Sequence, residues 1–111
     1  MEVLLPTRDD PADWNLDARL VRRHNVQRAK LIRRRMDDLA AAPTLDTMRL
    51  LPGRCHELRG DREGQLSLDL DGPFRLLFEP TGHPLPRKPD GGLDWKQVNS
   101  ITLFGVVDTH E

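Results

Sequence analysis

The sequence predicts an α+β domain in which an N-terminal strand and a helical hairpin pack against one face of an antiparallel β-sheet. Two observations carry this prediction. Hydrophobic residues recur every three or four positions through about the first forty residues, and the period then changes to two. With 111 residues and one cysteine, the chain fits a single domain over 1–111 without an internal disulfide.

The first part of the chain is predicted to hold the strand and both helices. The stretch "MEVLLPT" alternates weakly and ends at Pro6, which is typical of a short edge strand. No glycine follows until residue 53, and the spacing of apolar residues predicts helices over about 11–23 and 26–41. Asn25, which tolerates a left-handed conformation, is predicted to form the turn between them.

The second part of the chain is predicted to form the sheet. After a short helical turn with Thr44 as its N-cap, "QLSLDL" alternates strictly and "DG" predicts a hairpin to "PFRLLFEP". Arg75 in that strand falls on the face that points away from the helices. The stretch "QVNSITLFGVVDTH" predicts the last strand, with Gly105 a candidate bulge, and this strand is predicted to bring Asp108 and His110 to the face of Arg75. The Pro- and Gly-rich segment 81–94 predicts a long projecting loop.

The formal net charge of −1 conceals a strong asymmetry. Eight basic residues occur between positions 18 and 36 without an acidic one: Arg19, Arg22, Arg23, Arg28, Lys30, Arg33, Arg34 and Arg35. Such a block suits a polyanion or an acidic partner, and a solvated helix face explains it equally well. No apolar stretch resembles a signal peptide or approaches the ~20 residues of a membrane span, so a soluble cytoplasmic protein is expected.

Polar residues near the predicted strands supply groups that cleave RNA without a metal. They are His56, Arg59, Arg75, Asp108 and His110. Cleavage needs a base for the 2′-hydroxyl, a cation for the phosphate charge and an acid for the 5′-oxygen. Many α+β domains carry a few such residues, so composition alone leaves catalysis open. Cys55 has no partners for a metal site, and no nucleotide-binding or acyl-transfer motif occurs, so no cofactor is expected.

Two stretches, "CHELRGDREGQLSLDLDGPFRLLFEP" and "GGLDWKQVNSITLFGVVDTH", resemble the HigB-type killer toxins of the RelE/ParE superfamily, which belong to bacterial type II toxin–antitoxin systems. The signature of that family has a His-x-Leu-Lys/Thr-Gly-Asp-like turn, a Trp- or Gln-Leu-Ser strand, an aromatic-Arg-Leu/Ile-x-Phe strand and a terminal Asp-Tyr-His. The likeness extends over nearly the whole chain. It implies a RelE/ParE-like fold and a ribosome-dependent, metal-independent mRNA endonuclease that inhibits translation.

The resemblance also implies partners and residue roles. The partners would be a HigA-like helix-turn-helix antitoxin, the ribosome and mRNA, with DNA contacted only through the antitoxin complex. Arg75 would neutralise the scissile phosphate, His56 and His110 would share proton transfer, and Asp108 would orient a histidine or act as a base. The implied RNA-binding residues are Arg59, Arg22, Arg23, Arg33 and Arg34.

The sequence departs from the resemblance at Thr109, where the family often has tyrosine. A threonine hydroxyl neither stacks on a base nor transfers protons well at neutral pH, so weak nuclease activity is expected. The main alternative is a non-enzymatic ParE-like toxin that binds a target such as DNA gyrase. A partner-binding module without catalysis is a third interpretation. Two histidines together with an arginine favour the nuclease.

Overall fold

The computed structural model describes residues 1–109, so the predicted site residue His110 lies outside the described residues. The strands are β1 (Glu2–Leu4), β2 (His56–Glu57), β3 (Leu66–Asp69), β4 (Phe74–Pro80) and β5 (Ser100–Asp108). They form one sheet in the order β1-β5-β4-β3-β2. All neighbours are antiparallel except β1 and β5, which are parallel. The predicted α+β class and the edge position of β1 are confirmed.

Three helices lie between β1 and β2: α1 (Ala12–Asn15), α2 (Asp17–Arg23) and α3 (Val26–Ala41). The helix predicted over 26–41 is confirmed. Asn25 precedes it in an extended conformation (φ −177°), and its side chain accepts a hydrogen bond from the backbone N–H of Arg28 at 2.8 Å. The predicted turn is therefore confirmed, with Asn25 in an extended rather than a left-handed conformation. Within the described residues, no helix has the length and apolar character of a membrane span.

The helix predicted over 11–23 is interrupted at Leu16, whose φ and ψ are −103° and 119°. The interruption removes the helical donor that the Trp14 carbonyl would otherwise have. Arg33 of α3 replaces it: Nη2 donates to the Trp14 carbonyl at 2.8 Å, and Nε binds the Asp17 carboxylate at 3.1 Å. This distant side chain satisfies the polar groups at the break, a contact that local periodicity could not reveal.

The core fills the space between α3 and the sheet, as the two periodicities predicted. Its fully buried members include Ile32, Leu39, Leu68, Leu76, Phe78, Ile101 and Leu103. Leu77 is also fully buried, but it pairs with Ser67 on the other face of the sheet. The face away from the helices therefore also carries a fully buried apolar side chain.

The connecting segments agree only in part with the predictions. The predicted short helical turn is confirmed as a 3-10 helix over Leu45–Leu50, with Thr44 at its N-cap position but without a side-chain capping bond. The loop 81–94 does not simply project, because Arg87 and Leu93 form an antiparallel bridge and Leu93 is buried in the core. Its apolar residues hold both ends of the loop against the molecule.

A bulge in β5 reverses the facing of the residues that follow it. The pairing of β4 with β5 shifts between Leu77 and Phe78, which leaves Phe104 as the extra residue beside Gly105. The predicted bulge is therefore confirmed. Because directly paired residues share a face, the residues after Gly105 lie on the opposite side from that given by simple alternation from Ile101.

Candidate functional site

Arg75 lies on the face of the sheet away from the helices, as predicted, and its guanidinium is fixed. Nε lies 2.9 Å from Oδ1 of Asp69, the residue directly opposite on β3. Nη1 donates to the carbonyls of Gly72 and Phe74, each at 2.8 Å. The side chain is only 21% exposed. The tight hairpin thus presents a rigidly held cation at the surface of the sheet.

Asp69 also binds a second guanidinium, that of Arg54. Arg54 Nε lies 3.0 Å from Oδ2, and Nη2 lies 3.4 Å from Oδ1. This hydrogen bond, with the charge of Asp69, raises the pKa of Arg54 above its usual value. The backbone carbonyl of Asp69 accepts a hydrogen bond at 2.9 Å from the buried Arg35. One aspartate therefore joins two surface arginines to the core.

His56 on β2 is oriented by the backbone next to this pair. Its Nδ1 lies 2.9 Å from the carbonyl oxygen of Arg54. A carbonyl only accepts hydrogen bonds, so Nδ1 carries the proton and the neutral ring has its lone pair on Nε2. The hydroxyl of the buried Ser67, directly opposite His56, lies 3.4 to 3.5 Å from the ring nitrogens. The arrangement provides a base next to Arg54, on the same face of the sheet as Arg75.

Asp108 is not on this face. It pairs with Phe74, whereas Arg75 pairs with Val107, so Asp108 lies on the helix side of the sheet. The predicted delivery of Asp108 to the face of Arg75 is therefore wrong, and the bulge at Phe104 is the cause. The catalytic role predicted for Asp108 stays a prediction.

Thr109 continues from β5 towards the β3–β4 hairpin. Its backbone N–H and its hydroxyl donate to the carbonyl of Pro73 at 2.9 and 2.8 Å. The hydroxyl is thus engaged in a structural contact with the hairpin that carries Arg75. Its neighbour His110 lies outside the described residues, and its predicted role stays a prediction.

The structure does not bring Arg59 to Arg75. Arg59 follows the end of β2 that leads away from the Asp69–Arg75 pair. It lines a groove of about 490 Å³ with Arg87 and Leu85. Any contact of Arg59 with RNA would therefore occur at the other end of β3.

The basic helix residues fall into two groups. Arg33 is held at the break between α1 and α2, and Arg23 lies 3.5 Å from the carboxylate of Asp13. Arg22 and Arg34 are exposed, and no carboxylate among residues 1–109 pairs with either. The polyanion explanation therefore suits Arg22 and Arg34, whereas Arg33 has a structural role.

A second polar cluster lies on the helix side of the hairpin. Arg28 binds the Asp71 carboxylate with two nitrogens, at 2.8 and 3.0 Å, and covers the Phe74 ring at 3.4 Å. The hydrogen bond from Arg28 holds the pKa of Asp71 below its usual value. Burial, followed by the charges of Arg28 and Arg23, lowers the pKa of His24. This cluster holds the β3–β4 hairpin against α3.

Sequence reasoning did not select Arg54 or Asp69 as site residues. The sequence did contain a signal for Asp69. This residue shares the polar face of its strand with Ser67, and the "DG" turn sets it opposite Arg75. Arg54 gave no periodic signal, since it lies in an irregular turn before a strand of two residues. Within residues 1–109, no cluster of three His, Cys, Asp or Glu side chains is arranged to hold a metal.

The structure is similar to that of the YoeB/ParE toxin from Agrobacterium tumefaciens, with a TM-score of 0.58 over 100% of both chains and 13% sequence identity. The sequence matches no protein-family model and no curated protein. The helices on a five-stranded, mostly antiparallel sheet match a fold of the RelE/ParE type. The predicted fold is confirmed.

Proposed function

We propose that this protein is the toxin of a type II toxin–antitoxin system and a metal-independent endoribonuclease that cuts mRNA on the ribosome in the cytoplasm. The observation that carries the proposal is the cluster of His56, Arg75 and Asp69 on the open face of a RelE/ParE-type sheet. The toxin name of the structural relative supports the class, and the HigB-like motifs support the reaction. A HigA-like helix-turn-helix antitoxin would be the partner, and DNA would be contacted only through it.

His56 provides the base in this reaction. Its Nε2 lone pair accepts the proton of the 2′-hydroxyl, since Nδ1 is committed to the Arg54 carbonyl. The 2′-oxygen then bonds to phosphorus while the bond to the 5′-oxygen breaks. The products are a 2′,3′-cyclic phosphate and a 5′-hydroxyl end.

Arg75 stabilises the charge that develops on the phosphate. Its Nε and Nη1 groups are held by Asp69 and two hairpin carbonyls, which leaves the two N–H groups of Nη2 for the substrate. A cation fixed in advance needs no reorganisation as charge develops. A guanidinium does not give up a proton, so a different group must protonate the 5′-oxygen. His110 is the sequence candidate for that step.

Brief induction in cells followed by primer extension tests the proposal. The wild-type chain should arrest growth and produce cuts within codons, and Arg75→Ala or His56→Ala should abolish both. His110→Ala should do the same. Arg49→Ala, which removes an exposed arginine paired with Asp46 outside the site, is the matched control and should stay toxic. Growth arrest with intact mRNA would refute the nuclease.

The main alternative is a ParE-like toxin that binds a target such as DNA gyrase without catalysis. The position of Asp108 on the helix side favours it, because it removes one predicted group from the face of Arg75. Arrest that survives His56→Ala and His110→Ala but is lost in Arg22→Gln with Arg34→Gln would support this binding mechanism. A supercoiling assay with purified gyrase then identifies the target.

A further inference from the structure

Arg54 contributes its side chain to the open face, and neither the resemblance nor the sequence pattern assigns it a role. We infer that Arg54 and Arg75 together form a two-guanidinium clamp for one phosphate of the RNA, with Asp69 as the residue that positions both. The inference deepens the proposed function and rests on it. It adds a second phosphate-binding group and a positioning residue to the site.

The two guanidiniums share a single carboxylate oxygen. Arg54 Nη2 lies 3.4 Å and Arg75 Nε lies 2.9 Å from the same Oδ1 of Asp69. One phosphate therefore fits within reach of both groups. The carboxylate between them offsets the repulsion that two such cations would otherwise have, so the pair is held together before any substrate arrives.

The clamp keeps donors for a further anion. A guanidinium has five N–H groups. The contacts of Arg75 use three of these and those of Arg54 use two, and among residues 1–109 no acceptor binds the rest. The three charged groups together keep one positive charge. Arginine forks bind phosphate oxygens in pairs, so a phosphodiester is the anion that this geometry suits.

The backbone of Arg54 is constrained in an unusual conformation. Its φ is 51°, a region that residues with a β-carbon seldom occupy. The preceding Gly53 accepts a hydrogen bond at 2.7 Å from the N–H of Asp69, and the Arg54 carbonyl binds His56. Strain of this kind is often retained at functional sites. Here it lets one residue orient the base with its backbone and face the phosphate with its side chain.

The side chains of Arg54 and Arg75 differ in their exposure to solvent, and this difference separates their roles in the clamp. The Arg75 side chain is 21% exposed and the Arg54 side chain is 67% exposed. The substrate therefore meets Arg54 first, and Arg75 lies deeper against the sheet. Arg54→Gln should weaken binding of the phosphate and leave the fold intact, because the side chain is largely in solvent.

The salt dependence of RNA binding tests the clamp. The probe is a short 2′-O-methyl RNA, which cannot be cut, with affinity measured by fluorescence anisotropy over a range of KCl concentrations. Each lost phosphate contact on a single strand should lower the slope of log K against log salt by ~0.7. Arg54→Gln should show that loss and roughly tenfold weaker binding. Lys96→Gln, which removes an exposed charge elsewhere, should change neither.

Further variants separate a phosphate contact from a general charge or a folding defect. Arg54→Lys should restore most of the slope but not the full affinity, because an ammonium lacks the fork. Asp69→Asn raises the local charge and removes the common anchor. It should therefore bind the RNA more tightly at low salt while kcat on programmed ribosomes falls. Equal slopes for Arg54→Gln and Lys96→Gln would overturn the clamp, as would unchanged kcat in Asp69→Asn.

The binding assay and the cleavage assay together distinguish failure of the clamp from failure of the nuclease. Anisotropy with uncleavable RNA needs no catalysis, so the predicted loss of slope in Arg54→Gln would support the clamp even if no mRNA were cut. Cleavage of mRNA by the wild type, with an unchanged slope and KM in Arg54→Gln, would refute the clamp alone. Thermal unfolding midpoints equal to that of the wild type verify that each variant is folded.

Discussion

At the scale of single residues, burial controls the chemistry of Cys55. The side chain packs against the core, and burial raises the pKa of its thiol to about 12, with a smaller opposing effect from Arg49. Only the thiolate reacts with alkylating agents. We expect iodoacetamide at about pH 8 to modify the folded protein at least ~100-fold more slowly than the urea-unfolded chain, measured by mass spectrometry.

The same shift has a consequence for alkaline stability. The unfolded thiol loses its proton near its ordinary pKa of 9.0, whereas the folded one keeps it until about 12. The free energy of unfolding should therefore fall as the pH rises between these values, because the unfolded state releases the proton first. Cys55→Ala should remove that part of the decline. Rapid alkylation of the folded wild type would contradict the predicted shift.

At the scale of elements, the turn at Gly53 joins the core to the candidate site. Gly53 has a φ of 112°, and a β-carbon there would lie 2.9 Å from Nε of Arg35 and 3.1 Å from Leu68 Cδ2. Arg35 is buried and holds the carbonyl of Asp69, so it cannot move away without losing that bond. Gly53→Ala should lower the free energy of unfolding by about 3 kcal/mol, measured by urea titration.

Gly82→Ala is the matched control for this prediction. Gly82 also has a positive φ, of 94°, but a β-carbon there would meet nothing within 4 Å. It should show only the backbone cost, about 1 kcal/mol. Equal destabilisation by the two substitutions would mean that contact with Arg35 contributes nothing.

The bulge in β5 shows where reasoning from the sequence reached its limit. Alternation correctly placed Arg75 on the open face, because β3 and β4 pair without interruption across a tight turn. The bulge itself was also expected, at Gly105. The effect of the bulge on the later residues was not expected. One inserted residue moves every later side chain to the other face of the sheet. Asp108 was misplaced for this reason alone.

At the scale of the whole molecule, contacts between distant segments decide what the charges do. The basic helices lack acidic neighbours in sequence, yet Arg28 binds Asp71 and Arg33 binds Asp17. Local patterns predicted the elements well, because periodicity and turn residues are local signals. They could not show which arginines are neutralised, since the partners lie up to 43 residues away.

This division of the basic surface gives a prediction about the whole molecule. Arg22 and Arg34 are exposed without a carboxylate partner among residues 1–109, whereas Arg23 and Arg33 contact Asp13 and Asp17. Replacing Arg22 and Arg34 by Gln should lower the salt slope of ribosome binding by up to ~1.4 for two lost phosphate contacts and leave the unfolding midpoint unchanged.

The matched double change of Arg23 and Arg33 removes the same charge. It should instead lower the midpoint in urea, because Arg33 also satisfies the Trp14 carbonyl at the helix break. Binding measured by sedimentation over a KCl series separates the two effects. Equal loss of binding in both pairs, with stability unaffected, would mean that the helices act as one undivided basic surface.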